Sequence, residues 1–301
     1  MTNTTSINRT FKLGGDLTVN RLGYGAMRLS GQPGNFGAYP DWEGGEQLLR
    51  RAVELGVNFI DTAEAYGAGF NEKIIASALH SYKQDLVIAT KGGINKPAPD
   101  QILADASPAF LRSGVEGSLQ RLKLEQIDLY QLHRPDPKVP FAESIGALKE
   151  LKDEGKIRHL GLSNVTVEQI EEARQIVPIV SVQNKFSISD YEVSRRHRSF
   201  EAVLDYCTKN NIAFIPHGSL GAHPLKQGAP LASVKGVIAD IANNKGVKPN
   251  QIALAWLLHR APNIILIPGT TTIAHLEENI AVSSIVLTSE EMRSLNQLQT
   301  N

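Results

Sequence analysis

Short apolar runs and segments with a helical period alternate along nearly the whole chain. The apolar runs predict eight strands, at residues 22–24, 59–61, 86–90, 127–132, 159–162, 179–182, 213–216 and 264–267. The helical segments that follow them lie at residues 46–55, 74–79, 108–122, 141–153, 167–177, 200–210, 240–245, 251–260 and 274–281. Strands that are apolar almost throughout are typical of parallel sheets covered by helices on both faces. The pattern therefore predicts an α/β fold of eight βα units.

Eight such units can close into a barrel, and we predict a single (β/α)8 TIM barrel domain over residues 1–301. An open, doubly wound sheet is the alternative. An alternating stretch around Gly14-Gly15-Asp16 predicts an N-terminal β-hairpin at residues 11–19, and residues 289–298 predict an extra C-terminal helix. No shift in composition and no linker marks a second domain.

The charge balance argues against a polyanionic partner. Lys and Arg together number 31, as do Asp and Glu, so the formal net charge is zero. We therefore predict neither a nucleic-acid partner nor a membrane partner, and the polar N-terminus lacks the features of a signal peptide. These observations favour a cytoplasmic protein, and we expect a monomer or a small homo-oligomer. No His, Asp or Glu pair has helical ligand spacing, so no metal site is expected.

Four polar residues follow three consecutive predicted strands. Asp61 ends the second strand and Tyr66 lies in the loop after it, whereas Lys91 and His133 follow the third and fourth strands. Each residue alone could cap a loop or form a structural ion pair. Catalytic groups of barrels lie at the C-terminal ends of the strands, however, and neighbouring strand ends meet at one rim. We therefore expect these four side chains to form one site.

Their chemistry suits the protonation of a carbonyl oxygen. A tyrosine has a pKa of about 10, and an adjacent lysine ammonium stabilises the phenolate and lowers that pKa. Asp61 can hold Lys91 charged and in place, while His133 can donate a hydrogen bond to the same oxygen. Such a site needs a hydride source, but Gly23-Tyr24-Gly25 lacks the third glycine and the helix of a Rossmann fingerprint.

Motifs spread over the chain resemble those of aldo-keto reductases, which are (β/α)8-barrel enzymes that bind NADP(H) without a Rossmann domain. The residues that carry the resemblance are Phe59-Ile60-Asp61-Thr62-Ala63 with Tyr66-Gly67, Thr90-Lys91-Gly92, Leu132-His133-Arg134-Pro135-Asp136, Gly161-Leu162-Ser163-Asn164, Val182-Gln183-Asn184 and Ile267-Pro268-Gly269-Thr270. They occur in the family's order. The resemblance implies an enzyme that reduces an aldehyde or ketone to an alcohol, with Tyr66, Asp61, Lys91 and His133 as its catalytic tetrad.

The resemblance also implies where the cofactor binds. Ser163, Asn164 and Gln183 would contact the nicotinamide carboxamide. Further cofactor contacts would fall on Gly25, Ala26, Met27, His217, Ser219, Leu220, Gly269, Thr270, Thr271, His275, Glu278 and Asn279. His217 stands where the family usually has a stacking aromatic residue. The resemblance implies NADP(H) as the cofactor. Gly269 and His275 stand where members often have Lys and Arg, and NAD(H) is therefore the alternative.

The substrate is predicted to be a small carbonyl compound. A local resemblance to pyridoxal reductases, in residues 21–27 and 267–270, favours pyridoxal. Arg28, Phe36 and Trp42 are candidate substrate contacts. Phe36 and Trp42 lie in the loop after the first strand, and the alternative is that they only pack this loop. The alternative from another functional class is a regulatory subunit that binds the cofactor but catalyses no reaction. A third alternative is a barrel aldolase in which Lys91 forms a Schiff base, but a lysine that Asp61 keeps charged suits that role poorly.

Overall fold

The computed structural model describes residues 8–188, 196–221 and 236–297. Its strands are β1 (Thr10–Leu13), β2 (Leu17–Asn20), β3 (Tyr24–Gly25), β4 (Phe59–Asp61), β5 (Val87–Gly92), β6 (Ile94–Ala98), β7 (Gln101–Ala104), β8 (Ile127–Leu132), β9 (Ile157–Ser163), β10 (Ile179–Gln183) and β11 (Ala213–Phe214). Its helices are α1 (Trp42–Glu54), α2 (Phe70–Leu79), α3 (Pro108–Leu122), α4 (Phe141–Asp153), α5 (Val167–Ile176), α6 (Arg196–Lys209), α7 (Val237–Lys245), α8 (Pro249–Arg260), α9 (Ile273–Ala281) and α10 (Ser289–Gln297).

Seven parallel strands form one sheet in the order β11-β10-β9-β8-β5-β4-β3. The apolar segment 264–267 lies between the two edges of this sheet. Ile265 N donates to Phe214 O at 2.9 Å, and Leu266 N donates to Arg21 O at 2.8 Å. Because this segment bonds to both edges, the sheet is closed. The fold is the predicted (β/α)8 barrel and not the open sheet.

The N-terminal hairpin closes the end of the barrel where the strands begin. Strands β1 and β2 pair antiparallel, and Leu13 and Val19 are fully buried in the apolar cluster of the barrel interior. In the turn, Asp16 accepts hydrogen bonds from Arg158 at 2.8 Å and pairs with His159 Nε2 at 2.7 Å. The hairpin is therefore a plug, and the opposite end of the barrel is the one open to ligands.

Two local predictions were wrong. Helix α1 begins at Trp42 and is capped by Asp41, whose side chain accepts from Gly44 N, so Trp42 belongs to a helix and not to a loop. Adjacent glycines obscure the helical pattern here because glycine is a poor helix former. One of them is needed for packing, since a Cβ on Gly45 would lie 2.7 Å from Ile74 Cδ1 of α2.

The second error is an omitted hairpin. Strands β6 and β7 pair antiparallel directly after β5 and stand outside the barrel sheet.

The predicted C-terminal helix is present as α10. Among the helices that the structure describes, none combines the length and the apolar character that a membrane span requires.

Candidate active site

Lys91 lies at the floor of the site, at the C-terminal end of β5. Its side chain is fully buried, and its ammonium donates to Asp61 Oδ1 at 2.5 Å and to Thr62 O at 2.8 Å. The Tyr66 hydroxyl oxygen is 3.4 Å from the same nitrogen. A buried ammonium is costly unless it is paired and hydrogen-bonded. The structure thus brings together three of the four residues expected from the strand ends.

Both carboxylate oxygens of Asp61 have partners. Its Oδ2 accepts from Gln131 Nε2 at 3.2 Å and from Gln183 Nε2 at 2.8 Å. All three side chains are buried. The carboxylate is therefore fixed in one orientation beneath Lys91. Gln131 was missed by the sequence reasoning, although a polar residue inside the apolar run of β8 was a usable signal.

Buried hydrogen bonds hold the loop that carries Tyr66. Asn71 donates from Nδ2 to Ala26 O and to Leu29 O, both at 2.7 Å, and accepts from Thr62 Oγ1 at 2.6 Å. These bonds join the loops that follow the first two barrel strands. The position of Tyr66 is therefore set by two loops and not by its own strand alone.

Burial and charge set the protonation states of the buried pair. Burial raises the pKa of Tyr66, and although the Lys91 ammonium lowers it, the balance lies above the ordinary value. Burial lowers the pKa of Lys91, but Asp61 and Tyr66 raise it further, so that the lysine stays charged. The predicted influence of Lys91 on the phenol is present, but the expectation of a lowered pKa is wrong because desolvation is larger.

His133 lies beside the phenol as a neutral ring. Its ring centroid is 5.8 Å from that of Tyr66, with an edge-on angle of 84° between the planes. Burial, together with the positive charge of Lys91, holds the pKa of His133 well below its ordinary value. Its Nδ1 is buried without a hydrogen-bond partner among the described residues. His133 can therefore serve as a neutral hydrogen-bond donor or acceptor.

A cleft of about 310 Å³ opens above these groups at the C-terminal ends of the strands. The tetrad residues that line it are Asp61, Tyr66 and His133, with Lys91 buried behind them. Nine of the predicted cofactor residues also line it: Gly25, Met27, Ser163, Asn164, Gln183, His217, Ser219, Leu220 and Gly269. The proposed acid and the proposed nicotinamide contacts therefore face one space.

Six predicted cofactor residues do not line this cleft, namely Ala26, Thr270, Thr271, His275, Glu278 and Asn279. Five of them lie at or near α9, whose first turn is capped by Thr272 Oγ1 accepting from His275 N. The Glu278 carboxylate is engaged by Lys248. Their part in binding a cofactor remains a prediction.

The substrate side of the cleft differs from the prediction. Arg28 lines the cleft, whereas Phe36 and Trp42 do not, and Trp42, the first residue of α1, packs partly buried against the core. The wall is formed instead by Ile94, Lys96 and Ile102 of the second hairpin, with Ala65 and Arg134. The turn Pro99-Asp100 between two partly apolar runs was a signal that could have revealed this hairpin.

Glu64, next to the site, makes the stability of the fold depend on pH. Its carboxylate accepts from Gly93 N at 3.2 Å, and burial together with the charge of Glu72 raises its pKa from 4.5 to about 7. Between these values the folded state retains a proton that the unfolded state releases, so the free energy of unfolding falls as pH rises. We expect a loss of up to about 3 kcal/mol, which urea unfolding across this pH range can measure.

Glu64→Gln should remove this part of the pH dependence, because the amide keeps an acceptor for Gly93 and does not titrate. The exposed Glu125→Gln is the matched control and should keep the slope of the unsubstituted protein. An unchanged slope in the Glu64 variant would show that other groups cause it.

Comparisons with known proteins agree with this geometry. Residues 21–300 match the model of the aldo/keto reductase family. An uncharacterized oxidoreductase of Schizosaccharomyces pombe is 44% identical over 94% of this chain and 88% of its own length. Pyridoxine 4-dehydrogenase of Escherichia coli is 41% identical over 96% of this chain and 98% of its own.

A solved structure has the same architecture. An aldo-keto reductase from Klebsiella pneumoniae, solved in complex with NADPH, superposes with a TM-score of 0.79 at 26% identity and covers 97% of this chain and 95% of its own. The family model spans nearly all of the chain, and the barrel brings the expected strand-end residues to one rim. The chain therefore belongs to the aldo/keto reductase family of oxidoreductases.

Proposed function

We propose that this protein is an NADP(H)-dependent reductase of small aldehydes or ketones, in which Tyr66 donates the proton. The observation that carries the proposal is the buried Lys91–Asp61 pair, with the Tyr66 hydroxyl 3.4 Å from the lysine and a neutral His133 beside it. A charged lysine held next to a phenol suits proton transfer to a carbonyl oxygen better than it suits nucleophilic attack.

The residues of the cleft fit a nicotinamide. Asn164 donates from Nδ2 to His133 O and to Ser163 Oγ, both at 3.0 Å, and its Oδ1 lies 3.1 Å from His217 Nε2. This set of neutral amide and hydroxyl groups matches the donors and acceptors of a carboxamide. Gln183 lines the same space, although one of its N–H groups is engaged by Asp61.

Arg28 belongs to the cofactor side of the cleft. Arg28 is a neighbour of Gly269, since a Cβ built on that glycine would lie 3.8 Å from Arg28 Cγ. Gly269 is itself a proposed cofactor contact. Among the described residues Arg28 has no hydrogen-bonded or ion-paired partner, and a guanidinium suits a phosphate. We therefore propose a cofactor role for Arg28 in place of the substrate role expected from the sequence.

When bound, NADPH supplies a hydride for the carbonyl carbon. The Tyr66 phenol donates its proton to the carbonyl oxygen, and the Lys91 ammonium stabilises the phenolate that remains. Asp61 holds Lys91 charged and in place. His133, neutral at physiological pH, donates a hydrogen bond that orients the same oxygen.

The choice of NADP(H) over NAD(H) is supported by the neighbouring Klebsiella structure, which was solved with NADPH. The name of the E. coli relative, a pyridoxine 4-dehydrogenase, supports pyridoxal as a candidate substrate. The proposal thus names an aldehyde of the pyridoxal type as the first compound to test.

The test is a panel of small aldehydes, pyridoxal included, followed by the loss of NADPH absorbance, with NADH run in parallel. We expect turnover of at least one aldehyde with NADPH and tighter binding of NADPH than of NADH. Cofactor binding without turnover of any compound would favour the regulatory alternative. Equal affinities for the two cofactors would overturn the choice of NADP(H).

A further inference from the structure

Two cations stand on the substrate wall of the cleft without a carboxylate partner. Lys96, on β6, donates to the main-chain oxygens of Gly34 and Asn35. Arg134, just after β8, is exposed and has no hydrogen bond or ion pair among the described residues. Both line the cleft that holds Tyr66 and His133. The wall therefore presents positive charge that no acidic group of the described chain neutralises.

Several arginines elsewhere on the barrel are paired with carboxylates. Arg112 contacts Glu154 at 2.8 Å, Arg158 contacts Asp16 at 2.8 Å, and Arg51 contacts Glu277 at 2.7 Å. Among the described residues that line the cleft, Asp61 is the one acidic residue, and Lys91 already neutralises it. Although the net charge of the chain is zero, the described lining of the cleft carries an excess of positive charge.

The position of these cations separates them from the proposed cofactor contacts. Those contacts lie at or after β3, β9, β10, β11 and the segment 264–267, at positions such as Gly25, Ser163 and Gly269. Lys96 comes after β5, and Arg134 comes after β8. Because the strands succeed one another around the barrel, the two cations lie on the opposite arc, on the same side as Tyr66 and His133.

The surroundings of Lys96 fix its position and keep the wall otherwise apolar. Its two carbonyl partners anchor the hairpin β6–β7 to the loop after the first barrel strand, and a Cβ on Gly34 would lie 2.5 Å from Pro99 O. Ile94 and Ile102 of the same hairpin line the cleft beside it. An anion that binds here is thus partly removed from water, which strengthens its attraction to a cation.

From these observations we infer that the substrate carries, besides its carbonyl, an anionic group, either a carboxylate or a phosphate, which Arg134 and Lys96 bind. This inference favours an aldehyde with such a group over pyridoxal itself, which has neither. The inference rests on the proposed function, since it assigns the carbonyl to Tyr66 and His133. Arg134 and Lys96 thus determine specificity and take no part in the transfer of the proton.

Matched aldehydes test this inference. 4-Carboxybenzaldehyde is compared with 4-isopropylbenzaldehyde, which has a similar shape without the charge, and glyceraldehyde 3-phosphate is compared with glyceraldehyde. We expect a higher kcat/KM for the charged member of at least one pair, and a decline of that preference as salt is added, because exposed charges are screened. The pair that shows the larger preference distinguishes a carboxylate from a phosphate.

Arg134→Gln is the decisive variant, because the side chain is exposed and its loss leaves no buried group unpaired. We expect kcat/KM for the charged aldehyde to fall about fivefold, and further in Arg134→Glu, with little change for the neutral partner. Arg293→Gln, which removes an exposed arginine of α10 outside the cleft, is the control and should behave as the unsubstituted protein.

Binding of the charged aldehydes, measured by calorimetry, separates this inference from the proposed function. Equal affinity of the unsubstituted protein and Arg134→Gln for both charged aldehydes would overturn the inference, even where neutral aldehydes are reduced. Binding that depends on Arg134, without turnover of any aldehyde, would support the anion site and overturn the proposed reduction.

Discussion

Tyr66→Phe should lower kcat for carbonyl reduction by about 10³-fold while leaving the affinity for NADPH and the fold nearly unchanged. The hydroxyl is the group that donates the proton, and its removal leaves the ring and its edge-on contact with His133 in place. The bond that is lost, to Lys91 Nζ, is long at 3.4 Å, and the lysine keeps Asp61 and Thr62 as partners. Single-turnover reduction and fluorescence titration with NADPH measure the two effects separately.

Tyr82→Phe is a suitable control for this variant. The Tyr82 hydroxyl donates to Leu122 O at 2.7 Å, away from the cleft, so its removal also deletes one hydrogen bond of a partly buried phenol. We expect a small loss of stability and an unchanged kcat. Substantial activity in Tyr66→Phe, with the control behaving normally, would show that another group delivers the proton.

The candidate site could be predicted from the sequence because parallel strands bring their C-terminal ends to one rim. Asp61 and Lys91 could be placed from the ends of apolar runs alone, and the barrel that joins them followed from the count of βα units. The partners that fix them were less visible. Gln131 and Asn71 act through contacts with residues distant in sequence, and no local pattern announces such contacts.

The substrate wall was missed for a related reason. The hairpin β6–β7 is short, and Pro97 and Pro99 interrupt the alternation by which strands are recognised. A two-stranded hairpin is marginal by itself, and this one is anchored by Lys96 to carbonyls of a loop far away in the chain. A pocket wall held by such long-range contacts forms only in the closed barrel, so a local stretch of sequence does not reveal it.

Lys91→Met should lower the free energy of unfolding by about 3 kcal/mol and also lower kcat by at least about 10²-fold. The substitution leaves the Asp61 carboxylate buried without its counter-ion, although Gln131 and Gln183 still donate to it. It also removes the charge that stabilises the phenolate of Tyr66. Urea unfolding and steady-state kinetics at a temperature well below the unfolding transition measure the two losses.

The double variant Asp61→Asn with Lys91→Met separates stability from catalysis. Replacing both members removes the unpaired charge, so most of the lost stability should return, whereas activity should not, because no cation faces Tyr66. Arg121→Met gives the matched comparison: Arg121 pairs with the buried Glu72 at 2.6 Å outside the cleft, so its loss should destabilise the fold and leave kcat unchanged. Recovery of activity together with stability in the double variant would mean that Lys91 serves the fold alone. Recovery of stability alone would assign the lysine to the proton transfer.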